Sequence, residues 1–369
     1  MLYSLQPYLK YFALMGLVPW SEKCARYQFL QRIYSVFLIL INVVMFIVSV
    51  AMPASDEQLL SLMVNVIVFV AKIVAMTVVL VQMTIQYDGY YQFCQELKYL
   101  GLRLQGELKI PLGGLSWKCY TKILGLGAIC LVAVIPSAYV SFNVTLIYFW
   151  VSLLPVLVIR MQCVLLLLYV DLLGHHMRLL GNRLHDVLNC HMMDANCVLD
   201  GNCKQLCSLE FLLELKQSHM ELYQLFTHFN DLFGWSILSI FVVLFLDSTI
   251  NIYWTQQVLA EVYDNTYLIA TISTFIPTFA ILFALCRCGE FCRMQNMLIG
   301  SYVRGLTCHP TLQREPAYND LLMEFTMQVE HNVLIINAEG FMNVDNSLLM
   351  SILAAKVTYL IVLMQFSSL

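Results

Sequence analysis

The C-terminal stretch from Asn343 to Leu369, NVDNSLLMSILAAKVTYLIVLMQFSSL, decides the fold. From Leu348 to Phe366 its side chains are almost all apolar, and at ~1.5 Å per residue a helix of this length crosses a bilayer once. One charge, Lys356, interrupts the run. The other polar side chains are Ser351, Thr358, Tyr359 and Gln365. The sequence therefore predicts a membrane-spanning helix that carries polar groups as far as its C-terminal end.

Helical geometry places these polar groups on one side. At ~100° per residue, positions three, four and seven apart share a face. The face of Gln365 carries Val362, Ile361, Thr358 and Ser351. Lys356, nine residues before Gln365, lies on the opposite face. The pattern fits a helix that lines water, and it equally fits an anchoring span whose polar groups bond to neighbouring helices.

The composition independently indicates a membrane protein in contact with lipid. Of 369 residues, 60% are hydrophobic and 12% are charged, whereas a soluble domain carries about 25% charged residues. The net charge of −4 gives no reason to expect nucleic acid as a partner. Lys10, Glu22, Lys23 and Arg26 interrupt the N-terminal region, so no cleavable signal peptide is expected.

Hydrophobic runs predict an all-α membrane protein with seven transmembrane helices. The predicted spans are 33–51, 59–87, 123–142, 145–170, 235–254, 267–286 and 348–366. Residues 1–32 precede the first span, and helical extensions are expected at 88–118 and 171–234. Within the second extension, 189–205 resembles a loop, and 318–338 is expected to be partly helical.

The distribution of Lys and Arg predicts the orientation. Outside the spans they occur before the first span and in the second, fourth and sixth connections, and not in the first, third or fifth connections or the C-terminal tail. The positive-inside rule therefore predicts a cytoplasmic N-terminus and an extracellular C-terminus. A G-protein-coupled receptor has the opposite orientation, and its Asp-Arg-Tyr and Asn-Pro-x-x-Tyr motifs are missing. A transporter would show two related halves, but no repeat is evident.

Polar and aromatic stripes at helical spacing predict a ligand-binding region. The candidates are Asn65, Phe69, Lys72, Tyr139, Phe142, Trp150, Asp247, Asn251, Trp254, Tyr267, Thr271 and Phe275. Because polar groups facing lipid are costly, these stripes should face the interior of the bundle. A cavity with aromatic walls and a few hydrogen-bonding groups suits a small organic molecule. Hydrogen bonding between helices around a filled core is the alternative interpretation.

Charged residues within the spans need partners, since a charge at the bilayer centre costs roughly 2.5–3.5 kcal/mol. Lys72 and Asp247 lie at similar predicted depths, and we expect them to form an ion pair. Arg160 lies in the inner half of the fourth span, from which it can reach the cytoplasmic surface. Lys356 is expected at a helix interface rather than in a pore.

No enzyme, cofactor or metal site is predicted. No catalytic motif or phosphate-binding glycine loop occurs. Cys190, Cys197, Cys203 and Cys207 cluster near His191, but their spacing lacks the pairs of a zinc site, and the predicted cytoplasmic location favours free thiols. Asn143 begins a glycosylation sequon so close to the bilayer that we expect little occupancy.

The end of the chain resembles a known family. Thr358-Tyr359, five apolar residues and then Gln365-Phe366 resemble the TYhhhhhQF signature that ends the last span of insect gustatory receptors. Upstream, Gly340-Phe341 and Asp345 resemble the weaker pattern that leads into this span. The span architecture is similar over nearly the full length.

The resemblance implies a tastant-gated, non-selective cation channel in the plasma membrane of sensory neuron dendrites. Such receptors are homo- or hetero-tetramers with other gustatory receptors, in which four seventh spans surround one pore. The implied pore and gate residues are Gln365, Phe366, Val362, Ile361 and Thr358. Bitter or other non-volatile small organic compounds would bind among the second to sixth spans. An odorant-type receptor channel is the closest alternative, and the intact Thr-Tyr and Gln-Phe pairs favour the gustatory branch.

The same resemblance implies three regions. Residues 1–32 form a cytoplasmic N-terminus, 33–287 form the six-helix ligand-binding domain with its extensions, and 288–369 contain an anchor helix and the pore-lining seventh span. The cytoplasmic extensions and the helix before the seventh span would form an anchor domain that holds the subunits together.

Overall fold

The chain is almost entirely α-helical in this computed structural model, which describes residues 9–19, 25–51, 59–106, 108–109, 117–136, 147–193, 205–259, 266–308 and 316–367. The long helices, numbered in chain order, are α1 (Ala25–Ala51), α2 (Leu59–Ile85), α3 (Tyr87–Gly106), α4 (Trp117–Val132), α5 (Ile147–Met193), α6 (Leu209–Leu259), α7 (Thr266–Thr307), α8 (Pro316–His331) and α9 (Asn346–Ser367). A two-stranded antiparallel hairpin, β1 (Asn337–Ala338) and β2 (Met342–Asn343), joins α8 to α9.

The predicted spans coincide with helices over the described residues. Five stretches there are long and apolar enough to cross a membrane: Gln28–Val48, Val66–Ile85, Leu153–Met192, Leu209–Gln256 and Thr271–Thr307. Two shorter apolar helices, Leu124–Pro136 and Asn346–Val362, match the third and seventh predicted spans. The predicted all-α membrane fold is confirmed, while the side on which each terminus lies stays a prediction.

Three helices are much longer than a membrane requires. Helices α5, α6 and α7 contain 47, 51 and 42 residues. At ~1.5 Å per residue they are roughly 60–75 Å long, about twice the ~30 Å hydrocarbon core. Their halves nearest the hairpin therefore project beyond the spans, where they pack with α3 and α8 into a bundle that we call the extension bundle.

An aromatic cluster forms the centre where the spans enter the extension bundle. Phe93 of α3, Tyr169 of α5 and Phe229 and Phe233 of α6 are fully buried, with ring centroids 5.0–6.5 Å apart. The hydroxyl groups of Tyr90 and Tyr169 hydrogen-bond each other within this cluster. Rings of this size bury large apolar areas and lock the three helices together.

Ion pairs and hydrogen bonds connect the rest of the extension bundle. The buried guanidinium of Arg103 in α3 pairs with Glu214, at 2.6 Å, and with Glu221, both in α6. His191 near the end of α5 bonds the hydroxyl of Tyr318 in α8 at 2.8 Å. These contacts join residues more than 100 positions apart in sequence, so the bundle is a tertiary structure rather than a row of independent helices.

One part of the predicted extensions differs from expectation. The first residues of the loop expected at 189–205 are helical, because α5 continues to Met193 and buries His191 against α8. The segment at 318–338 is partly helical, as predicted: it is helical as far as His331 and then enters the hairpin. Glu339 and Gly340 adopt φ values of 52° and 75° at the turn of the hairpin, which suits a tight hairpin.

Candidate functional site

Helix α9 is held at its base by contacts with α7 and with the segment before it. Asp345 caps the helix, since its carboxylate accepts a hydrogen bond from the backbone N–H of Leu348 at 2.9 Å. Glu290 of α7 accepts a second bond, from the backbone N–H of Asn346 at 3.3 Å. Hydrogen bonding from Arg293 lowers the pKa of Glu290, so its carboxylate stays ionised beside the positive end of the α9 dipole.

Gly289 sets how closely α7 approaches this base. A Cβ atom at Gly289 would lie 1.8 Å from the carbonyl oxygen of Val344, which is a collision with backbone. Val344 is itself fixed, because its N–H donates to the carbonyl of Ile336 at 3.0 Å. Only glycine therefore fits where α7 passes the residues that lead into α9.

One continuous stripe of α9 is exposed in this chain. It consists of Ser347, Met350, Ser351, Ala354, Val357, Thr358, Ile361, Val362 and Gln365, and the exposed ring of Tyr359 lies at its edge. Leu349 and Lys356 lie on the other side and are 8% and 5% exposed. The helix packs on α6 and α7, which accounts for the buried side. The predicted division of the helix into a Gln365 face and a Lys356 face is present in the structure.

The residues predicted for the pore lie on the exposed side. Thr358, Ile361, Val362 and Gln365 are all exposed. The hydroxyl of Thr358 donates to the carbonyl of Ala354 at 3.2 Å, and the Ser351 hydroxyl donates to Ser347 at 3.0 Å. Because these donors are satisfied within the helix, their oxygen atoms remain available on the exposed face. The role of these residues in a pore stays a prediction, and the side chain of Phe366 lies outside the described residues.

Tyr359, a member of the signature motif, contacts a neighbouring span. Its ring lies edge-on to that of Phe245 in α6, with centroids 5.7 Å apart. Thr358 and Tyr359 therefore lie on different parts of the helix surface: the hydroxyl of Thr358 is on the exposed stripe, whereas the ring of Tyr359 touches α6.

A buried ion pair joins two of the ligand-binding candidates, as predicted. Lys72 of α2 and Asp247 of α6 are 2.5 Å apart from Nζ to Oδ1, with side chains 11% and 9% exposed. The hydroxyl of Thr278 in α7 donates to the other carboxylate oxygen at 3.3 Å. Asp247 thus links three spans at one point, and this arrangement is an expected solution for charges buried in a membrane.

The remaining described candidates occupy several places. Asn251, one turn beyond Asp247, is 9% exposed, and its Nδ2 has no hydrogen-bond partner among the described residues. Thr271 donates to its own helix at Leu268. Three aromatic candidates make ring contacts: Phe69 with Phe46 of α1 at 5.9 Å, Trp254 with Tyr253 at 5.9 Å and Phe275 with Phe279 at 6.0 Å. The role of each in ligand binding stays a prediction.

Several candidates fall outside the described residues. They are Tyr139, Phe142 and Asn143, together with the side chains of Asn65, Trp150 and Tyr267. In the part of the cysteine cluster that is described, Cys190 and Cys207 are half-buried. Across the described ranges, no group of three or more His, Cys, Asp or Glu is placed to hold a metal ion.

The base of α9 contains contacts that the sequence did not indicate. Glu290 and Gly289 lie far from α9 in sequence, so no local spacing rule connects them with it. A weak signal existed at Gly340, whose φ of 75° is the left-handed conformation that glycine favours. Asp345 was singled out only through resemblance, and its capping bond gives the physical reason for an acidic residue there.

These features define an all-helical membrane protein whose last helix is fixed at its base and exposed along one face. The chain belongs to the 7tm chemosensory receptor family, whose model matches residues 5–369. The family comprises receptors and not enzymes, and the chain is a multi-pass membrane protein.

The relatives place the chain among insect gustatory receptors, which confirms the resemblance at the end of the sequence. It is 66% identical to gustatory receptor 39b of Drosophila melanogaster over 100% of both chains. It is also 32% identical to gustatory receptor 23a of Drosophila melanogaster over 42% of this chain and 40% of that protein.

Solved structures show the same fold at low sequence identity. The structure of the insect olfactory receptor OR5 from Machilis hrabei matches with a TM-score of 0.69 and 13% identity over 99% of both chains. The structure of that receptor in complex with eugenol matches with a TM-score of 0.61 and 14% identity, again over 99% of both chains.

Proposed function

We propose that this chain is a subunit of a tastant-gated, non-selective cation channel, and that the exposed stripe of α9 lines its pore. The observation that supports the proposal most is that hydroxyl and amide groups occupy the side of α9 that the described residues leave exposed. A lipid-facing helix would place these polar groups in hydrocarbon, which is costly for Gln365 in particular. A water-lined axis shared with other copies accommodates them.

Exposed apolar side chains in the extension bundle support assembly with further subunits. The side chains of Met323 and Met327 in α8 are 67% and 56% exposed, and that of Phe341 in the hairpin is 71% exposed. Trp235 of α6 lies beside Phe341, with ring centroids 6.4 Å apart. Apolar surface like that of Met323, Met327 and Phe341, outside the predicted spans, is typical of protein interfaces. A tetramer, homomeric or formed with other gustatory receptors, would cover it and bring four α9 helices to one axis.

The closed state would be set by the last turn of α9. Four Phe366 side chains meeting at the axis would make an apolar constriction that excludes water. A rotation that replaces them with Gln365 amides would let water and cations through. A ligand needs only a few kcal/mol of preference for the open arrangement to shift the population. In this account Ile361, Val362 and Thr358 line the wider part below.

The ligand would be a small organic compound of the bitter or other non-volatile class, bound among α2, α4, α5, α6 and α7. The eugenol complex of the olfactory receptor supports a small organic ligand for this fold. The proposed location is the plasma membrane of sensory neuron dendrites.

The proposal is tested by recording excised patches from cells that express wild type or Phe366→Ala, without nucleotide or G protein. The variant should carry a constitutive cation current that wild type lacks. Leu360→Ala, a truncation on the half-buried side of α9, is the matched control and should stay silent. No current from Phe366→Ala, with the protein detected at the cell surface and co-expressed with other gustatory receptors, would contradict the proposal.

A further inference from the structure

Lys356 is the charge in α9 that the proposed pore does not use. It lies in the middle of the helix, on the side packed against α6 and α7, and is 5% exposed. Among the described residues it makes no ion pair within 4.0 Å, although a buried ammonium group is costly without a partner. Tyr359, three residues after Lys356, contacts Phe245 of α6 with ring centroids 5.7 Å apart, and Asp247 lies two residues beyond Phe245. The nearby carboxylate of Asp247 attracts the ammonium group.

Asp247 serves more than one cation. Lys72 of α2 contacts its Oδ1 atom at 2.5 Å, and Thr278 of α7 donates to its Oδ2 atom at 3.3 Å. Its charge also attracts Arg160 of α5, which is 4% exposed. Lys72 of α2 is in direct contact with this carboxylate, whereas Lys356 of α9 forms no ion pair with it within 4.0 Å and interacts at longer range.

This arrangement makes the energy of the charges depend on where α9 sits. In a low-dielectric interior, the attraction between two charges changes steeply with their separation. A shift of α9 against α6 changes the distance from Lys356 to Asp247, while the base of the helix stays held by Asp345 and Glu290. Lys356 lies below Ile361 and Gln365 on the same rigid helix, so such a shift also moves the predicted gate.

We propose that Lys356 is a positioning residue for the gate, and that its attraction to Asp247 ties the pore helix to the α2–α6 ion pair. The inference rests on the proposed channel function. Lys72 contacts the same carboxylate that attracts Lys356, so a ligand that disturbs the Lys72 contact changes the electrostatic attraction acting on α9. This gives the ligand-binding spans a physical connection to the pore helix through Asp247.

The test is a double-mutant cycle on the constitutive current of Phe366→Ala channels. Lys356→Met removes the charge at similar side-chain length and should change the current at least about fivefold per surface channel, since a buried charge interaction is lost. In the Asp247→Asn background the same change should have little further effect. Lys356→Arg should keep most of the wild-type behaviour, and Leu349→Met, on the same buried side, is the neutral control.

A second cycle, on the melting temperatures of the purified detergent-solubilised proteins, separates gating from folding. If Lys356 positions the gate, its coupling to Asp247 should be larger when measured on the current than when measured on the melting temperature. The proposal would be overturned if Lys356→Met changed the current by the same factor with and without Asp247→Asn. It would also be overturned if Lys356 and Asp247 were coupled in the melting temperature alone. Silence of Phe366→Ala itself would instead refute the channel function, and the role of Lys356 would fall with it. Coupling between Lys356 and Asp247 in the melting temperature would then show only that their electrostatic interaction stabilises the fold.

Discussion

The base of α9 and the stripe along its exposed face are built in opposite ways. At the base, Glu290 and the close approach at Gly289 fix the helix through contacts with α7, and Asp345 caps its first turn. Along the stripe, the hydroxyls of Ser351 and Thr358 bond to the backbone of their own helix. The difference indicates that changes at the base should impair folding, whereas changes on the stripe should leave folding intact and alter conduction.

The substitution expected to destabilise the base of α9 most is Gly289→Ala. The new Cβ atom would collide with the carbonyl of Val344 at 1.8 Å, and backbone cannot yield as a side chain can. We expect a loss of about 3 kcal/mol or more, seen as loss of the monodisperse protein peak and of surface expression. Gly181→Ala is the control, because its Cβ would meet Ile299 at an ordinary 3.6 Å and should gain about 0.5–1 kcal/mol as a helical alanine. Equal behaviour of the two variants would contradict the described packing.

The extension bundle can be weakened at Arg103. Its side chain is 6% exposed and pairs with Glu214 and Glu221, so Arg103→Met leaves two carboxylates without their cation. The expected loss is about 3 kcal/mol, read as a lower melting temperature. Lys216→Met is the comparison, since its partner Glu324 has a side chain that is 67% exposed, and its loss should cost under about 1 kcal/mol. A larger effect at Lys216 would show that burial is wrongly assigned.

Acid should weaken the bundle through its buried histidines. Burial lowers the pKa of His219 to about 4 and that of His176 to about 4, from a usual 6.5. Each ring is neutral when folded, so its contribution to stability is present above pH 6.5 and is lost as the pH falls towards 4. At pH 5 a single histidine accounts for roughly 2 kcal/mol.

The control for this pH dependence is His219→Gln, which can keep the hydrogen bond from Gln328 without titrating. The melting temperature of His219→Gln should fall less than that of wild type between pH 7.5 and pH 5. Parallel curves for the two proteins would show that His219 is not buried in its neutral form.

The smallest expected effect at the base is loss of the α9 cap. Asp345→Ala removes the acceptor for the N–H of Leu348 and should cost about 1 kcal/mol, with faster hydrogen exchange in the first turn. Asp345→Asn retains an acceptor oxygen and should behave nearly as wild type. If alanine and asparagine are equally harmful, the charge of Asp345, and not its capping bond, is what the base requires.

Periodicity predicted the parts of the fold that depend on one helix at a time. The Gln365 and Lys356 faces of α9 follow from 100° per residue, and the structure exposes the first and buries the second. The Lys72–Asp247 contact followed from predicted depth, because two charges at one level of a membrane need each other.

Apart from the Lys72–Asp247 pair, the contacts between distant elements described above could not be predicted from the sequence. A helical wheel gives the angle of Phe69 but not its neighbour, which is Phe46 of α1. The hairpin from Asn337 to Asn343 was missed because its turn places Glu339, a non-glycine residue, at φ 52°. The passage of Val344 over Gly289 depends on how α7 and the hairpin pack, which no local sequence pattern encodes.

The central claim, that the exposed stripe of α9 borders water, is tested most directly by a pair of adjacent cysteines. Met350 is 65% exposed and Leu349 is 8% exposed, so Met350→Cys and Leu349→Cys differ by one position and by face. In a Cys308→Ser background, which removes an exposed native thiol, a charged thiol reagent is applied to the cytoplasmic side of patches carrying Phe366→Ala. We predict rapid modification at 350 with a change in current, and none at 349. Modification at neither position, or at both equally, would contradict the account.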